Sequence, residues 1–532
     1  MDKKPLSRMY KRVSTVGKAK SPETDVVKIK TETSGLGALK TLITAAIIGV
    51  QLALIIYLNV TFGLLFNWYL AVSFVLSLIT CIYVLSSKKN SLSKAVWIIF
   101  LLLGFSFAHV IYLLSDERIF FAKSKKRFAK IYSDADKFTQ KSDTCVENPC
   151  VKNDCEYLYS AGKFPAYTDT SAKYFSSGAS LFDDVLERLK KAEKFIFIEF
   201  FIISDGNLLK RFIDVLKDRV ASGVTVRIIY DDMGSHKTFS RKSKSILKKA
   251  GVKISPFNRL VPIFSVALNY RDHRKMIIVD GKTVYSGGSN LADEYVNEKR
   301  MYGYWKDTGI RLDGGAVDSF TLMFLRQWEF LNKTREDYSQ FLNQVKKESN
   351  VGSVVVPYAD GLDYKMPIGK NAYENMIASA TEKIYIMTPY FIVDDTINGL
   401  LMNKALSGVD VRIILPEVPD KAFVYAVSRN NAEKLIEYGV KVYLMKNSFV
   451  HSKLLLTENS VVVGSINMDL RSFYQQFECA VYTDDKGVMD DVLDDFNQTF
   501  NDCYMITENN KKRKNVLYRI FNGLMQVFAP FM

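Results

Sequence analysis

Histidine is scarce in this chain of 532 residues: there are four, His109, His236, His273 and His451. Any chemistry that needs imidazole must use these positions. Cysteine is sparse as well, with six residues. Cys145, Cys150 and Cys155 recur every five residues in a polar stretch, while Cys81 lies in an apolar run and Cys479 and Cys503 lie far downstream. That spacing fits no common zinc pattern, so unpaired thiols are expected. A disulfide there would imply an extracytoplasmic domain. Carboxylates near the histidines are few and separated, unlike a two-metal site, and no metal or other cofactor is expected. No basic patch is interleaved with aromatic residues, which argues against a nucleic-acid partner.

Charge is missing altogether from residues 41–87. That length suits two membrane spans of roughly 20 residues, with a turn around Asn59, Thr61 and Gly63. A third uncharged run covers Ala95–Ser115, and Trp68, Tyr69 and Trp97 lie near span ends, where amphipathic rings suit the headgroup level. The charged tail before the first run is too long for a cleaved signal peptide. Three spans put the termini on opposite faces. Lys28, Lys30, Lys40, Lys88, Lys89 and Lys94 on one face balance Arg118, Lys123, Lys125, Lys126, Arg127 and Lys130 on the other, so positive charge sets no orientation.

The rest of the chain is rich enough in apolar residues to fold, at 48% hydrophobic overall, and its net charge of +15 suits anionic partners. Its length exceeds one ordinary core. After the polar stretch, short β-branched runs alternate with amphipathic helices, and this happens twice. AEKFIFIEFFIISD (192–205) matches TEKIYIMTPYFIVDD (381–395). ASGVTVRIIYDD (221–232) matches LSGVDVRIILPE (406–417), and AGVKISPFN (250–258) matches YGVKVYLMKN (438–447). Three matched blocks in one order indicate an internal duplication of an α/β unit with a mainly parallel sheet.

The fourth feature to repeat is chemical. YRDHRKMIIVDGKTVYSGGSN (270–290) and FVHSKLLLTENSVVVGSIN (449–467) each give His, Lys two residues on, an acid five further, and a glycine turn ending in Asn. The sets are His273, Lys275, Asp280, Asn290 and His451, Lys453, Glu458, Asn467. Residues i and i+2 of a strand share a face, so each His and Lys project together. Two such lobes facing one pocket would supply two imidazoles as nucleophile and proton carrier. Lysines and amides would hold the oxygens of a phosphoryl centre. Two of four histidines falling at matched positions makes coincidence a poor explanation. His109, in the third apolar run, fits helix packing, and His236 follows a loop signal, YDDMGS.

These paired motifs resemble the phospholipase D superfamily. NYRDHRKMIIVDG, GGSNLADEYVNE, YWKDTGIRL, FVHSKLLL and NMDLRSFYQQFEC resemble bacterial cardiolipin synthases more closely, as do IEFFI near Glu199 and TPYFIVDD near Tyr390. The resemblance covers roughly residues 90–532. It departs from the family pattern at Glu458, where Asp is usual, and at Gly288, where Ser is usual; Ser465 keeps the serine of the second turn.

The resemblance implies an α/β fold of two similar phospholipase D-type lobes, mainly parallel sheets flanked by helices, after an N-terminal transmembrane region. The expected boundaries are a basic tail (1–38), the transmembrane region (39–115), a linker (116–175), lobe one (176–345), lobe two (346–505) and a basic amphipathic C-terminal helix (506–532). It implies a multi-pass cell-membrane enzyme that moves a phosphatidyl group between two phosphatidylglycerols to make cardiolipin. The alternative is hydrolysis of a phospholipid. His273 is the implied nucleophile and His451 the proton carrier, although motif symmetry alone does not assign them. Asn290, Asn467 and Ser465 would hold the substrate phosphate, with Lys275 and Lys453. Asp307 and Glu478 would each orient the other lobe's imidazole. Asp280 and Glu458 complete the motifs and suit support of the fold. Two further segments suit lipid: the apolar run of 258–275, and a C-terminal helix placing Val516, Leu517, Ile520, Phe521, Leu524 and Phe528 on one face.

Overall fold

The computed structural model describes residues 46, 49–57, 60, 61, 63–87, 91–103, 108, 109, 111, 112, 122–139, 146–259, 270–344, 352–361, 364–507, 523 and 525. The chain divides into two compact units, 1–63 and 64–532. The described residues of the first are helical; everything below concerns the second. The C-terminal amphipathic helix, Cys145 and most of the apolar run at 258–275 lie outside the described residues.

Among the described residues one helix, Phe66–Leu85, is long and apolar enough to cross a membrane. The next apolar helix, Ser91–Leu103, has 13 residues. Of the three expected spans, one candidate is therefore supported among the described residues, parts of the other two lie outside them, and the multi-pass reading is not carried further.

Among the described residues nine strands precede residue 345: β1 (Thr170–Phe175), β2 (Phe195–Phe200), β3 (Thr225–Asp231), β4 (Lys253–Phe257), β5 (Arg271–Asp272), β6 (Lys275–Val279), β7 (Thr283–Gly287), β8 (Tyr304–Lys306) and β9 (Gly309–Gly314). Eleven more described strands follow: β10 (Val355–Asp360), β11 (Lys383–Met387), β12 (Phe391–Ile392), β13 (Asp410–Pro416), β14 (Lys441–Met445), β15 (Ser448–Val450), β16 (Leu454–Thr457), β17 (Val461–Gly464), β18 (Met468–Asp469), β19 (Gln476–Thr483) and β20 (Cys503–Met505). The first sheet runs β1-β9-β7-β6-β2-β3-β4 and the second β10-β19-β17-β16-β11-β13-β14-β20. Strand for strand the order is the same, with β20 added at one edge.

The sheets are mixed rather than mainly parallel. Only β2–β3 and β3–β4 are parallel along the first path, and only β11–β13 and β13–β14 along the second. The repeated βαβ blocks produce those pairs, because a crossover helix returns the chain in the same direction. The strands after each His–Lys pair fold back as a hairpin. At the first, Asp280 and Gly281 take φ of 55° and 65°; two successive left-handed residues reverse the chain at once.

Alternation along the first sheet separates two cores. Ile196, Ile198, Phe200 and Ile277 face helices Gly178–Leu189 and Asn207–Ala221. Phe195, Phe197, Met276 and Ile278 face a core continuous with the second sheet's Ile384, Val462 and Val481. The segment 116–175, read as a linker, carries helices Ala122–Ala135 and Pro149–Gly162 before β1. Phe128 stacks on Phe330 with centroids 3.6 Å apart. The second of these helices packs on helix Ile368–Ser379 and carries Cys150 and Cys155, both unpaired.

Candidate active site

Both histidines stand just before a central strand and are tied to the opposite sheet's half of the chain. β5 runs parallel with the start of β19, and the His273 N–H donates to the Phe477 carbonyl at 2.8 Å. β15 runs parallel with β8, and the His451 N–H donates to the Lys306 carbonyl at 2.7 Å. The residue after each acceptor is an acid. Each imidazole is thereby laid beside a carboxylate from the other half. His273 Nδ1 lies 2.9 Å from both oxygens of Glu478, and His451 Nδ1 lies 2.8 Å from Asp307 Oδ2. The acids are wholly buried, and the rings nearly so. With Nδ1 engaged, Nε2 of each ring remains for chemistry.

Lys275 and Lys453 project beside their histidines and donate from Nζ to the carbonyls of His273 and His451. Lys453 Nζ also lies 2.9 Å from His451 Nδ1. That nitrogen cannot both donate to Asp307 and accept from an ammonium. Placing its proton toward the carboxylate satisfies the stronger, charge-assisted bond. Aromatic rings flank the imidazoles: Phe201 for His273 at 5.1 Å, and Tyr295 and Trp305 for His451 at 5.3 and 5.6 Å.

Burial governs proton affinity here. Burial and the neighbouring lysines hold His273 well below its usual range and His451 at about 3. Burial lowers Lys275 to about 8 and Lys453 to about 7, although Glu478 and Asp307 oppose it. Burial raises Glu478 to about 7 against the pull of Lys275. The site is thus short of negative charge, and an incoming anion would restore protons to its bases.

The motif acids stand apart. Asp280 follows the far end of β6, roughly 17 Å of strand from Lys275. It accepts from the N–H groups of Glu193, Lys194 and Phe195. Glu458 does the same for Thr381 and Lys383 in the second sheet. One methylene more than Asp suffices for that capping role.

The Asn and Ser positions are more committed than their motif implies. Asn290 Oδ1 accepts from the Ile202 N–H at 3.0 Å, and its amide donates to Tyr295 Oη at 2.7 Å. Asn467 Oδ1 is buried and has no hydrogen-bond partner among the described residues. Ser465 Oγ donates to Glu478 and accepts from the Cys479 N–H at 3.0 Å. It braces the acid instead of leaving a donor for phosphate. Gly288, its counterpart, has no room for a side chain: a Cβ there would meet Asp307 Oδ1 at 2.1 Å. The shorter Asp with Gly and the longer Glu with Ser are matched solutions to one packing problem.

Sequence reasoning missed several groups. Ser472 Oγ donates to Glu478 Oε1. Glu199 and Asp272 form a buried acid pair beside Arg274, whose guanidinium lies 3.9 Å from Glu199. Burial and Asp272 push Glu199 well above its usual range. Period two from each motif, at Trp305–Asp307 and Phe449–His451, could have found the aromatic flank. His236 is exposed after the short helix Asp232–Ser235. Among the described residues no group of three or more His, Cys, Asp or Glu is placed to hold a metal.

A family model described as cardiolipin synthase, PLD-like domain, matches residues 185–301 and 373–500. A cardiolipin synthase of Oceanobacillus iheyensis is 31% identical over 480 residues, covering 87% of this chain and 98% of its own. Cardiolipin synthase 2 of Staphylococcus epidermidis is 33% identical, covering 69% and 75%. The crystal structure of a phosphatidylserine synthase from Haemophilus influenzae aligns with a TM-score of 0.55 at 15% identity, over 71% of this chain and 97% of that one. That likeness concerns the fold.

Proposed function

The chain belongs to the cardiolipin synthase family of phospholipase D-like proteins, and from that premise we propose that it transfers a phosphatidyl group from one phosphatidylglycerol to another. The products are cardiolipin and glycerol. The observation that carries this reading is the crosswise pairing of two imidazoles with two buried carboxylates, with a lysine beside each.

His273 Nε2 attacks phosphorus, forming a P–N bond as the bond to the leaving glycerol oxygen breaks. Glu478 holds Nδ1–H and offsets the positive charge the ring gains. His451 Nε2 gives its proton to the departing glycerol. The terminal hydroxyl of the second phosphatidylglycerol then returns a proton to His451 as its oxygen attacks phosphorus and the P–N bond breaks. Protons balance over the cycle. Lys275 and Lys453 hold the non-bridging oxygens, and Asn290 and Asn467 edge the phosphate site. Ser465 is reassigned to bracing Glu478, and Asp280 and Glu458 to holding their strands. His451 is neutral in the empty site; the phosphodiester anion opposes the lysine charges that strip it and so restores its proton. We place the reaction at a membrane surface, with the helix of Phe66–Leu85 as anchor.

Purified full-length protein in detergent–phosphatidylglycerol mixed micelles should yield cardiolipin and glycerol in equal amounts. Phosphatidic acid as the sole product would replace transfer by hydrolysis and overturn the reading.

The lysines give this reaction an unusual pH dependence. The ammonium is the working form, and its proton leaves as pH rises through the lowered values of about 7 and 8 for Lys453 and Lys275. kcat/KM should therefore fall above pH 7–8, several units below an ordinary lysine. A bound phosphodiester stabilises both ammoniums, so the same limb in kcat should lie at higher pH. The two limbs describe the coupled pair, not single residues. Coincident limbs in kcat and kcat/KM, or none below pH 9, would remove the lysines from this role.

A further inference from the structure

Cardiolipin contains two phosphates, and the His–Lys pocket serves one of them. The acceptor's own phosphate is three carbons from the hydroxyl that attacks, so it must lie beside the pocket. A second anion next to so buried a site calls for a cation of its own.

Arg471 is such a cation. It lies on the short helix Leu470–Gln475 and is half-buried. Its neighbour Ser472 donates to Glu478 Oε1, the acid on His273. With the Gln476 amide turned to satisfy both neighbours, its nitrogen donates to Glu478 Oε1 at 2.8 Å and its oxygen accepts from Arg471 Nε at 3.3 Å. The chain Arg471–Gln476–Glu478–His273 therefore fixes the guanidinium beside the nucleophile. Its charge reaches His273, where it adds to Lys275 and Lys453 in lowering proton affinity. Among the described residues no carboxylate reaches it at ion-pair distance: Arg271 takes Asp231, and Asp469, whose charge acts on Arg471 without contact, caps the helix by accepting from the Ser472 N–H. Nε is the nitrogen spent on Gln476, and among the described residues neither Nη is held by a hydrogen bond or an ion pair.

We propose that Arg471 binds the phosphate of the acceptor lipid and so selects phosphatidylglycerol over water or free alcohols as the second substrate. This rests on the transferase reading above. A guanidinium fork matches two phosphate oxygens at once, and fixing that phosphate fixes the reach of the hydroxyl three carbons away. Lysine would supply charge without the fork.

The test separates the two half-reactions. Full-length protein in mixed micelles is loaded from a phosphatidyl donor with an activated leaving group. The phosphatidyl-enzyme is then offered phosphatidylglycerol, glycerol phosphate or glycerol. In Arg471→Met, capture by the two phosphate-bearing acceptors should fall about 10- to 100-fold, the scale of a charged hydrogen-bond pair. Loading and capture by glycerol should stay within about threefold of the parent, on the same principle that only the lost contact is felt. Arg471→Lys should lie between. Equal loss with all three acceptors, or a loss in loading, would make Arg471 a brace for the His273–Glu478 pair and overturn the proposal. Loss with phosphatidylglycerol alone would mean recognition of the lipid surface and overturn it too, as would no loss at all. Failure of the parent itself to form cardiolipin would instead remove the transferase reading, before Arg471 is tested.

Discussion

Alanine in place of either His273 or His451 is expected to reduce cardiolipin formation by about 10³-fold or more, and the double variant to be scarcely worse than either single one. The reason lies in how the site is assembled. Neither half of the chain holds a complete set: the acid on His273 is Glu478, and the acid on His451 is Asp307. On the proposed mechanism one pocket therefore needs both imidazoles for one turnover, one to bond phosphorus and one to move protons. Losses at independent sites would behave differently. Each single variant would keep about half the activity, and only the double would be dead; contributions that act as one unit do not multiply. Rates of cardiolipin release from the four proteins, with folding checked by near-ultraviolet circular dichroism, decide the matter. Half activity in either single variant would refute a shared pocket.

The duplication itself is readable because it is local. Each His–Lys pair is set by period two within one strand, and each βαβ block by a short run of residues. Position across the site is a different matter. His273 and Glu478 are 205 residues apart, and His451 and Asp307 are 144 apart. The resemblance to a family suggests these partners; no spacing rule derives them. The mixed sheets were missed for a related reason. The βαβ blocks dominate the sequence pattern, whereas the hairpin after each motif is decided by a few residues such as Asp280–Gly281. The motif acids show how pattern can mislead about chemistry. Asp280 repeats with His273 because β6 must end against the start of β2, where three backbone N–H groups need an acceptor. Ser465 likewise recurs in a motif with Asn467, yet its hydroxyl serves Glu478. Only packing reveals this, as it does the clash that keeps Gly288 a glycine.

The two histidines, equal as motifs, should separate when the leaving group no longer needs a proton. From a phosphatidyl ester of nitrophenol the nitrophenolate departs as a stable anion, so the first step still needs the nucleophile but hardly needs the general acid. General acid catalysis contributes about 10² to 10⁴-fold, and His451→Ala should recover much of that loss in the loading step. It should then accumulate a phosphatidyl adduct, because the acceptor hydroxyl has lost the base that takes its proton. His273→Ala should form no adduct. A P–N bond to imidazole is acid-labile and alkali-stable, which distinguishes it from an acyl or phosphate ester. Mass spectrometry of a rapidly quenched digest should place the adduct on the peptide containing YRDHRK, not the one containing FVHSK. An adduct on His451 would exchange the two roles while keeping the two-step route. The stereochemistry at phosphorus supplies an independent check, since two in-line displacements retain configuration and one inverts it. Inversion, with no adduct on either ring and turnover intact, would mean that the second lipid attacks phosphorus directly and that neither histidine is ever phosphorylated.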